Sequence, residues 1–407
     1  MGNCNKKWAS TAALIALLGF GFLATGMGSV TLEPGLSAPA EEIRGVWMWA
    51  SSVQEEGAEA IAKRLAQHRI NRVFLLVKGY SGKLCYPSDV IPGAKSERDL
   101  LKEALQAFHA RGIEVHAWYV FNSDNYWGKS HPDDIMHHAG DPRAWEKGPY
   151  SKNEDPSRLL ICPLSAGYRS HFKAMVEEVL EKYAVDGIHL DYIRYGHVCY
   201  CFCPRHQARA ASRGIDVAKV REAVYATYYA PRKDAELYFK LYRQGDKNIK
   251  EWVTMREEEI TSAVKELRAL VKSKRSTLAL SAAFMPEGGR PDDAYALCHY
   301  AQNYATAGSE LDYILPMTYW EPSPVVAQIA LNAEKKSHRP VYSGLWAASE
   351  RVAESESGRP TSPMATAPVL KLRNDLRIIQ ESGVKGFVLF RYGTITEELW
   401  KEILPGI

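Results

Sequence analysis

Beyond residue 40 the chain alternates short runs of β-branched and aromatic residues with longer stretches whose apolar positions recur at helical spacing, the pattern of βα units around a parallel sheet. The predicted strands are Ile43 to Ala50, Asn71 to Lys78, Ile113 to Phe121, Gly187 to Tyr195, Thr277 to Phe284, Tyr313 to Tyr319, Pro340 to Trp346 and Lys385 to Tyr392. Between them, Ala58 to His68 brings Ile61, Leu65 and His68 onto one helix face, and Leu100 to Ala110 does the same for Leu101, Leu105 and Phe108. Each of these helices is followed by a short turn, Arg69-Ile70-Asn71 or Arg111-Gly112-Ile113, before the next strand. Eight such units over about 360 residues predict an α/β fold, a (β/α)8 TIM barrel spanning residues 41–407. Residues 122 to 165 and 196 to 246 are too long to be simple connections, so insertions are expected after strands 3 and 4. Loops that follow barrel strands lie on the face that carries active sites, and these insertions are expected to wall a cleft. Ser355 to Pro368, rich in Ser, Thr and Pro, reads as a loop after the seventh strand.

Residues 1–40 read differently. Lys6 and Lys7 precede an apolar stretch from Ala12 to Ala24, the layout of a signal peptide. Export is the expected fate, to the periplasm, the cell envelope or the medium. Processing is placed near Ala24-Thr25-Gly26 or after Ala38-Pro39-Ala40, and an uncleaved N-terminal anchor is the alternative, the one route by which a membrane would be a partner. Cys4 precedes the apolar run instead of following it, so it gives no lipid-attachment signal.

Composition narrows the function. With 407 residues, 46% of them hydrophobic, the chain has ample material for a large core, and a net charge of only +3 without long basic runs points away from nucleic acid. The 10 Trp and 22 Tyr suit sugar stacking, although large cores use such rings too.

The richest segment is Val185-Asp186-Gly187-Ile188-His189-Leu190-Asp191-Tyr192-Ile193-Arg194-Tyr195. Strand alternation places His189 and Asp191 on the barrel interior and Ile188, Leu190 and Tyr192 under the helices. A carboxylate is costly inside a barrel unless it is paired or at the open rim, and Asp191 comes late in the strand, where the rim is. The purely structural alternatives are an Asp191 paired with Arg194 and a core His189 hydrogen-bonded beneath Asp191.

Five runs, DGIHLDYIRY, EIRGVWMW, VHAWYVFN, ILPMTYW and KGFVLFRYG, together resemble the bacterial glycosyl-hydrolase-like family ten, over nearly everything after residue 42. The resemblance implies a (β/α)8 barrel of exported or envelope proteins regarded as glycosidases, with bacterial cell-wall glycan a substrate proposed for some members. It also maps the aspartate of the DGIHLD motif onto Asp191. Against the chitinase-type pattern DGxDxDxE, the terminal acid falls at Ile193 and an inner Asp at His189, so that substrate-assisted machinery is missing. The α-amylase-type pattern DGxRxD fits better and makes Asp191 the nucleophile, with His189 where an arginine would stand.

A glycosidase usually needs a second carboxyl group. Glu287 in the run after the fifth strand ranks first, Glu321 after the sixth second and Asp124 after the third last; each is equally readable as a solvated loop charge. A separation of about 5 Å would imply retention and about 6.5–9.5 Å inversion. The remaining strand ends offer Trp47, Trp49, Lys78, Trp118, Asn122, Asp124, His189, Tyr192, Arg194, Tyr319, Trp320, Trp346, Arg391 and Tyr392 as substrate-binding candidates. About half of them are expected to be core groups, because neighbours on a strand face opposite ways.

Six cysteines remain beyond the N-terminal segment: Cys85, Cys162, Cys199, Cys201, Cys203 and Cys298. Cys199, Cys201, Cys203 and His206 are candidate ligands of a structural zinc, the alternatives being disulfides to Cys162 or Cys298, or free thiols. No HxH or HExxH pattern is present, and His116 and His189 do not make a catalytic metal site, so no cofactor is required for catalysis. The expected partner is a polysaccharide or oligosaccharide. The expected activity is cleavage of its O-glycosidic bonds, with a non-catalytic glycan-binding barrel as the alternative.

Overall fold

The computed structural model describes residues 42–139, 158–230, 232–348 and 368–403. The segment read as a signal peptide, and residues 355–367 of the predicted loop, lie outside the described residues. Among the described residues no helix is long and apolar enough to cross a membrane.

Eight parallel strands follow the predicted order: β1 (Ile43–Trp49), β2 (Arg72–Lys78), β3 (Glu114–Val120), β4 (Gly187–Asp191), β5 (Ala279–Phe284), β6 (Tyr313–Pro316), β7 (Ser343–Trp346) and β8 (Gly386–Phe390). β1 pairs with both β2 and β8, and each further strand pairs with its sequence neighbour. Two isolated parallel bridges, Ile314 to Val341 and Met317 to Gly344, join the β6 and β7 edges, so the sheet closes into a (β/α)8 barrel.

Alternation divides the core in two. Val46, Val73, Leu75, Val115, Ile188, Leu190 and Leu280 face outward under the helices. The barrel interior holds Ile43, Trp47, Phe74, Trp118, Ala283, Tyr313, Leu315 and Val388, a layered packing of large rings that leaves no pore. Register places Phe74 beside His116, Trp118 beside His189, and His189 beside Ser281. Gly187 permits this layering, since a Cβ there would lie 2.0 Å from His116 Nδ1. Its neighbour Asp186 ties the start of β4 to β3 by accepting from the Val115 N–H at 2.7 Å.

The expected insertions after β3 and β4 are present. The first carries a helix over Asn125–Ser130 and returns through bridges from Ser123 to Leu160 and from Ile135 to Ile161. The second carries helices over Pro204–Ser212, Val217–Tyr228 and Leu237–Gln244, before a 28-residue helix, Lys247–Lys274, leads toward β5.

Candidate active site

β4 is shorter than alternation predicts. It stops at Asp191 because Tyr192 takes φ 52°, a left-handed conformation that a strand does not tolerate. The Phe121 and Asn122 N–H groups donate to the Asp191 and Tyr192 carbonyls at 2.7 and 3.1 Å and hold this exit in place. The expectation that Tyr192 packs under the helices is therefore corrected: its ring turns into a cleft at the C-terminal ends of the strands. The cleft has a volume of about 700 Å³ and is walled by Trp47, Trp49, Tyr80, Trp118, Tyr192, Tyr319 and Phe390.

Asp191 is the only carboxylate among the described residues lining this cleft, which also takes Lys83, Lys95, Arg158 and Arg194. Asp191 is 7% exposed, and one of its carboxylate oxygens accepts the Tyr192 N–H at 2.7 Å. It makes no ion pair among the described residues. The Arg194 and Arg158 guanidinium carbons lie 4.1 and 4.2 Å from the Tyr192 ring centroid, which gathers two cations beside the carboxylate. Burial raises the Asp191 pKa; Arg194, the Tyr192 N–H, Arg158 and the Trp118 indole pull it back, and the rise prevails.

Glu287 lies in a helical turn, Pro286–Gly289, just past β5. One of its carboxyl oxygens is buried without a hydrogen-bond partner. Burial and the neighbouring Glu321 raise its pKa against the pull of its own backbone N–H, Arg290 and Arg194. A carboxyl group held in this way is suited to carrying a proton. Glu321 is occupied differently, with both oxygens taken by Arg290 at 2.6 and 2.8 Å.

Three of the predicted binding residues are corrected to structural ones. Lys78 and Asp124 are fully buried and paired at 3.0 Å, and the other Asp124 oxygen caps the Asn125–Ser130 helix at the Trp127 N–H, so neither side chain reaches the cleft. His189 is also fully buried. The Trp47 indole N–H donates to its Nε2 at 3.0 Å, and Nδ1 meets Ser281 Oγ at 2.9 Å. Because indole only donates, His189 is a neutral Nδ1–H tautomer, and burial with His116 nearby holds its pKa well below the usual range.

At the opposite rim, Trp320, 46% exposed, packs 4.8 Å from Trp346, which stacks on Phe390 at 5.5 Å beside Tyr319. Arg391 sits 3.6 Å over the Trp49 ring. Asn122 is buried, with both amide atoms lacking a hydrogen-bond partner, and the Tyr392 hydroxyl is bound to Glu56 and Arg64.

Sequence reasoning missed Arg158, Tyr80, Lys83, Lys95 and Phe390. The first four lie in irregular stretches where no periodicity marks a cleft-facing side chain. Phe390 closes an apolar strand and reads as core.

The cysteine cluster forms differently from the sequence expectation. Cys162, Cys201, Cys203 and His206 converge, all buried, with ligand atoms within 4.8 Å of one another. Cys199 is outside this group, its sulfur directed at His197 Nδ1 and the Tyr229 hydroxyl. Cys162 takes the place that proximity in sequence had given to Cys199.

The barrel, with Asp191 at the end of β4 as the one cleft carboxylate among the described residues, fits a protein of the glycoside-hydrolase-like class. A family model described as Glycosyl hydrolase-like 10 matches residues 42–348, and the chain belongs to that family. No curated protein matches the sequence. Among solved structures, the PgaB (BpsB) glycoside hydrolase domain from Bordetella bronchiseptica superposes with a TM-score of 0.63 at 14% identity, over 86% of this chain and 94% of that one. A beta-galactosidase from Marinomonas ef1 gives 0.60 at 13% identity, over 89% of this chain and 58% of its own. Alpha-L-fucosidase isoenzyme 2 from Paenibacillus thiaminolyticus gives 0.54 at 14%, over 89% and 48%. The chain thus spans roughly half the length of the latter two. At these identities the likeness is one of fold.

Proposed function

We propose that this protein is an exported hydrolase of O-glycosidic bonds in a polysaccharide, with bacterial cell-wall glycan the leading substrate class. Asp191 acts as nucleophile or essential carboxylate, and Glu287, buried just past β5 outside the cleft lining but within electrostatic reach of Arg194, is the candidate proton donor. The observation that carries this reading is Asp191 itself, a carboxylate at the rim of a closed barrel, facing an aromatic cleft and flanked by two guanidinium groups. The rings supply stacking surfaces for sugars, and the cations supply hydrogen bonds to hydroxyl or carboxylate substituents. Among the described residues four cations against one carboxylate line the cleft, which favours a glycan bearing negative groups, as peptidoglycan does in the carboxylates of its stem peptides and of its unsubstituted lactyl groups.

The test is incubation of the protein with peptidoglycan strands, with and without stem peptides, and with a panel of neutral and acidic polysaccharides, beside Asp191→Asn. Cleavage that disappears in the variant supports the assignment and names the substrate. A second reading has its own observation: no other carboxylate among the described residues lines the cleft, as in a barrel that binds glycan without cutting it. Binding without cleavage, unchanged in Asp191→Asn, selects that reading.

A further inference from the structure

We propose that Cys162, Cys201, Cys203 and His206 form a structural zinc site that straps the insertion after β3 to the insertion after β4. The sulfurs of Cys162 and Cys203 are 3.7 Å apart, and His206 Nδ1 lies 3.5 Å from Cys162 Sγ and 3.3 Å from Cys203 Sγ. A tetrahedral zinc with Zn–S of about 2.3 Å and Zn–N of about 2.0 Å separates its sulfurs by about 3.8 Å, and sulfur from nitrogen by about 3.5 Å. These three spacings match those values, Cys201 Sγ lies within 4.8 Å of the other three ligand atoms, and the Cys162–Cys203 separation is far longer than the roughly 2.05 Å of a disulfide.

The surroundings agree with the assignment. The Tyr195 hydroxyl meets His206 Nε2 at 2.7 Å, which fixes the ring with Nδ1 turned toward the thiols. Cys203 is the N-cap residue and His206 lies in the first turn of the Pro204–Ser212 helix, a position that favours a thiolate. Three sulfurs and one imidazole select zinc over the hard divalent cations, and four protein ligands leave no open position for catalysis. The group lies outside the cleft lining, so the metal is a strap and takes no part in bond cleavage.

What it straps is the charged wall of the cleft. Cys162 follows directly on the segment that carries Arg158, whose Leu160 and Ile161 bridge to Ser123 and Ile135. Cys201, Cys203 and His206 lie a few residues beyond Arg194, with Tyr195 between them bonded to the histidine. One ion thereby fixes the two loops that hold guanidinium groups beside Asp191.

The experiment is metal analysis of the full chain purified without added metal, followed by exchange of the bound ion for cobalt. The expected result is one zinc per chain and the visible absorption of tetrahedral cobalt with thiolate charge-transfer bands. Cys162→Ser should lose the stoichiometric zinc and melt at a lower temperature, whereas Cys199→Ser should keep it. Should Cys162→Ser fail to fold, the cobalt spectrum of Cys199→Ser still decides, because its charge-transfer intensity reports three thiolates if Cys162 is a ligand and two if Cys199 is. A disulfide among Cys162, Cys201 and Cys203 in non-reducing peptide maps would overturn the proposal. So would a wild-type chain that takes up neither ion, or zinc that survives Cys162→Ser and is lost in Cys199→Ser.

Discussion

Replacing Asp124 by Asn isolates the buried pair that supports the cleft from below. The amide can still accept the Trp127 N–H, so the helix cap survives and the perturbation is the lost charge. Lys78 is left fully buried with neutral acceptors: the Val120 and Ser123 carbonyls at 2.8 Å each and the Tyr168 hydroxyl at 3.0 Å. Breaking a buried pair from one side costs about 3–5 kcal/mol. A second route gives the same size. If Lys78 escapes by shedding its proton, discharging a lysine of ordinary pKa of about 10.4 at pH 7 costs about 1.36 kcal/mol for each of roughly 3.4 units, or about 5 kcal/mol. Burial already lowers the Lys78 pKa in the native pair, with Asp124 as the group that raises it again. In the variant the unfolded chain binds the extra proton, so stability rises with pH. From neutrality toward pH 10 the deficit should shrink by up to about 1.4 kcal/mol per pH unit. Urea unfolding of wild type, Asp124→Asn, Lys78→Met and the double variant measures this, and the double variant should cost clearly less than the sum of the singles. A single-variant loss below about 1 kcal/mol, or simple additivity, would refute the argument, because it would mean that the pair is wet or absent.

His197 is buried, and burial, Arg256 and His138 depress its pKa to about 3. Against an unfolded value near 6.5, its contribution to stability is complete above that pH and is lost as pH falls, so wild type minus His197→Phe should show a slope of about 1.4 kcal/mol per pH unit between roughly pH 6 and 4. Denaturant titrations at stepped pH read the slope, and parallel curves would contradict it. If Glu287 gives the proton, Glu287→Gln should slow glycosides with poor leaving groups far more than activated aryl glycosides, whereas Asp191→Asn should slow both. Equal losses on both substrate types would remove Glu287 from that role. Trp320→Ala takes away an exposed ring and should raise KM roughly 2- to 10-fold with kcat little changed, from about 0.5–1.5 kcal/mol of stacking; a fall confined to kcat would place the ring elsewhere in the reaction.

The barrel was legible because its signal is periodic. All eight strands follow from alternation and β-branched runs, and Asp191 followed from its place late in β4. The errors come where one residue breaks the period or where contacts join distant segments. Tyr192 has no feature marking its positive φ, so alternation alone runs β4 on to Tyr195 and places the Tyr192 ring under the helices. Lys78 and Asp124 look like cleft groups from their strand ends, and only the fold shows that each satisfies the other. Cys199 stands beside the other cysteines in sequence, yet the fourth member of the buried cluster is Cys162, brought in by the return of the first insertion through Ile135 and Ile161.

The electrostatics of the cleft set a division of labour between barrel and insertions. The barrel places Asp191 where burial raises its pKa, and in the free protein that rise prevails over the pull of the nearby cations. A carboxylate of this kind can act as a nucleophile only if nearby cations keep a sufficient fraction ionised. Those cations, Arg158 and Arg194, come from the loops beyond β3 and β4, and both rest on the Tyr192 ring that ends the strand. A shift of either loop would therefore alter the pull of these cations on the Asp191 pKa without touching the barrel. That coupling gives a reason for strapping the two loops together by a buried cluster of three thiols and an imidazole, at a point outside the cleft that leaves it open to substrate.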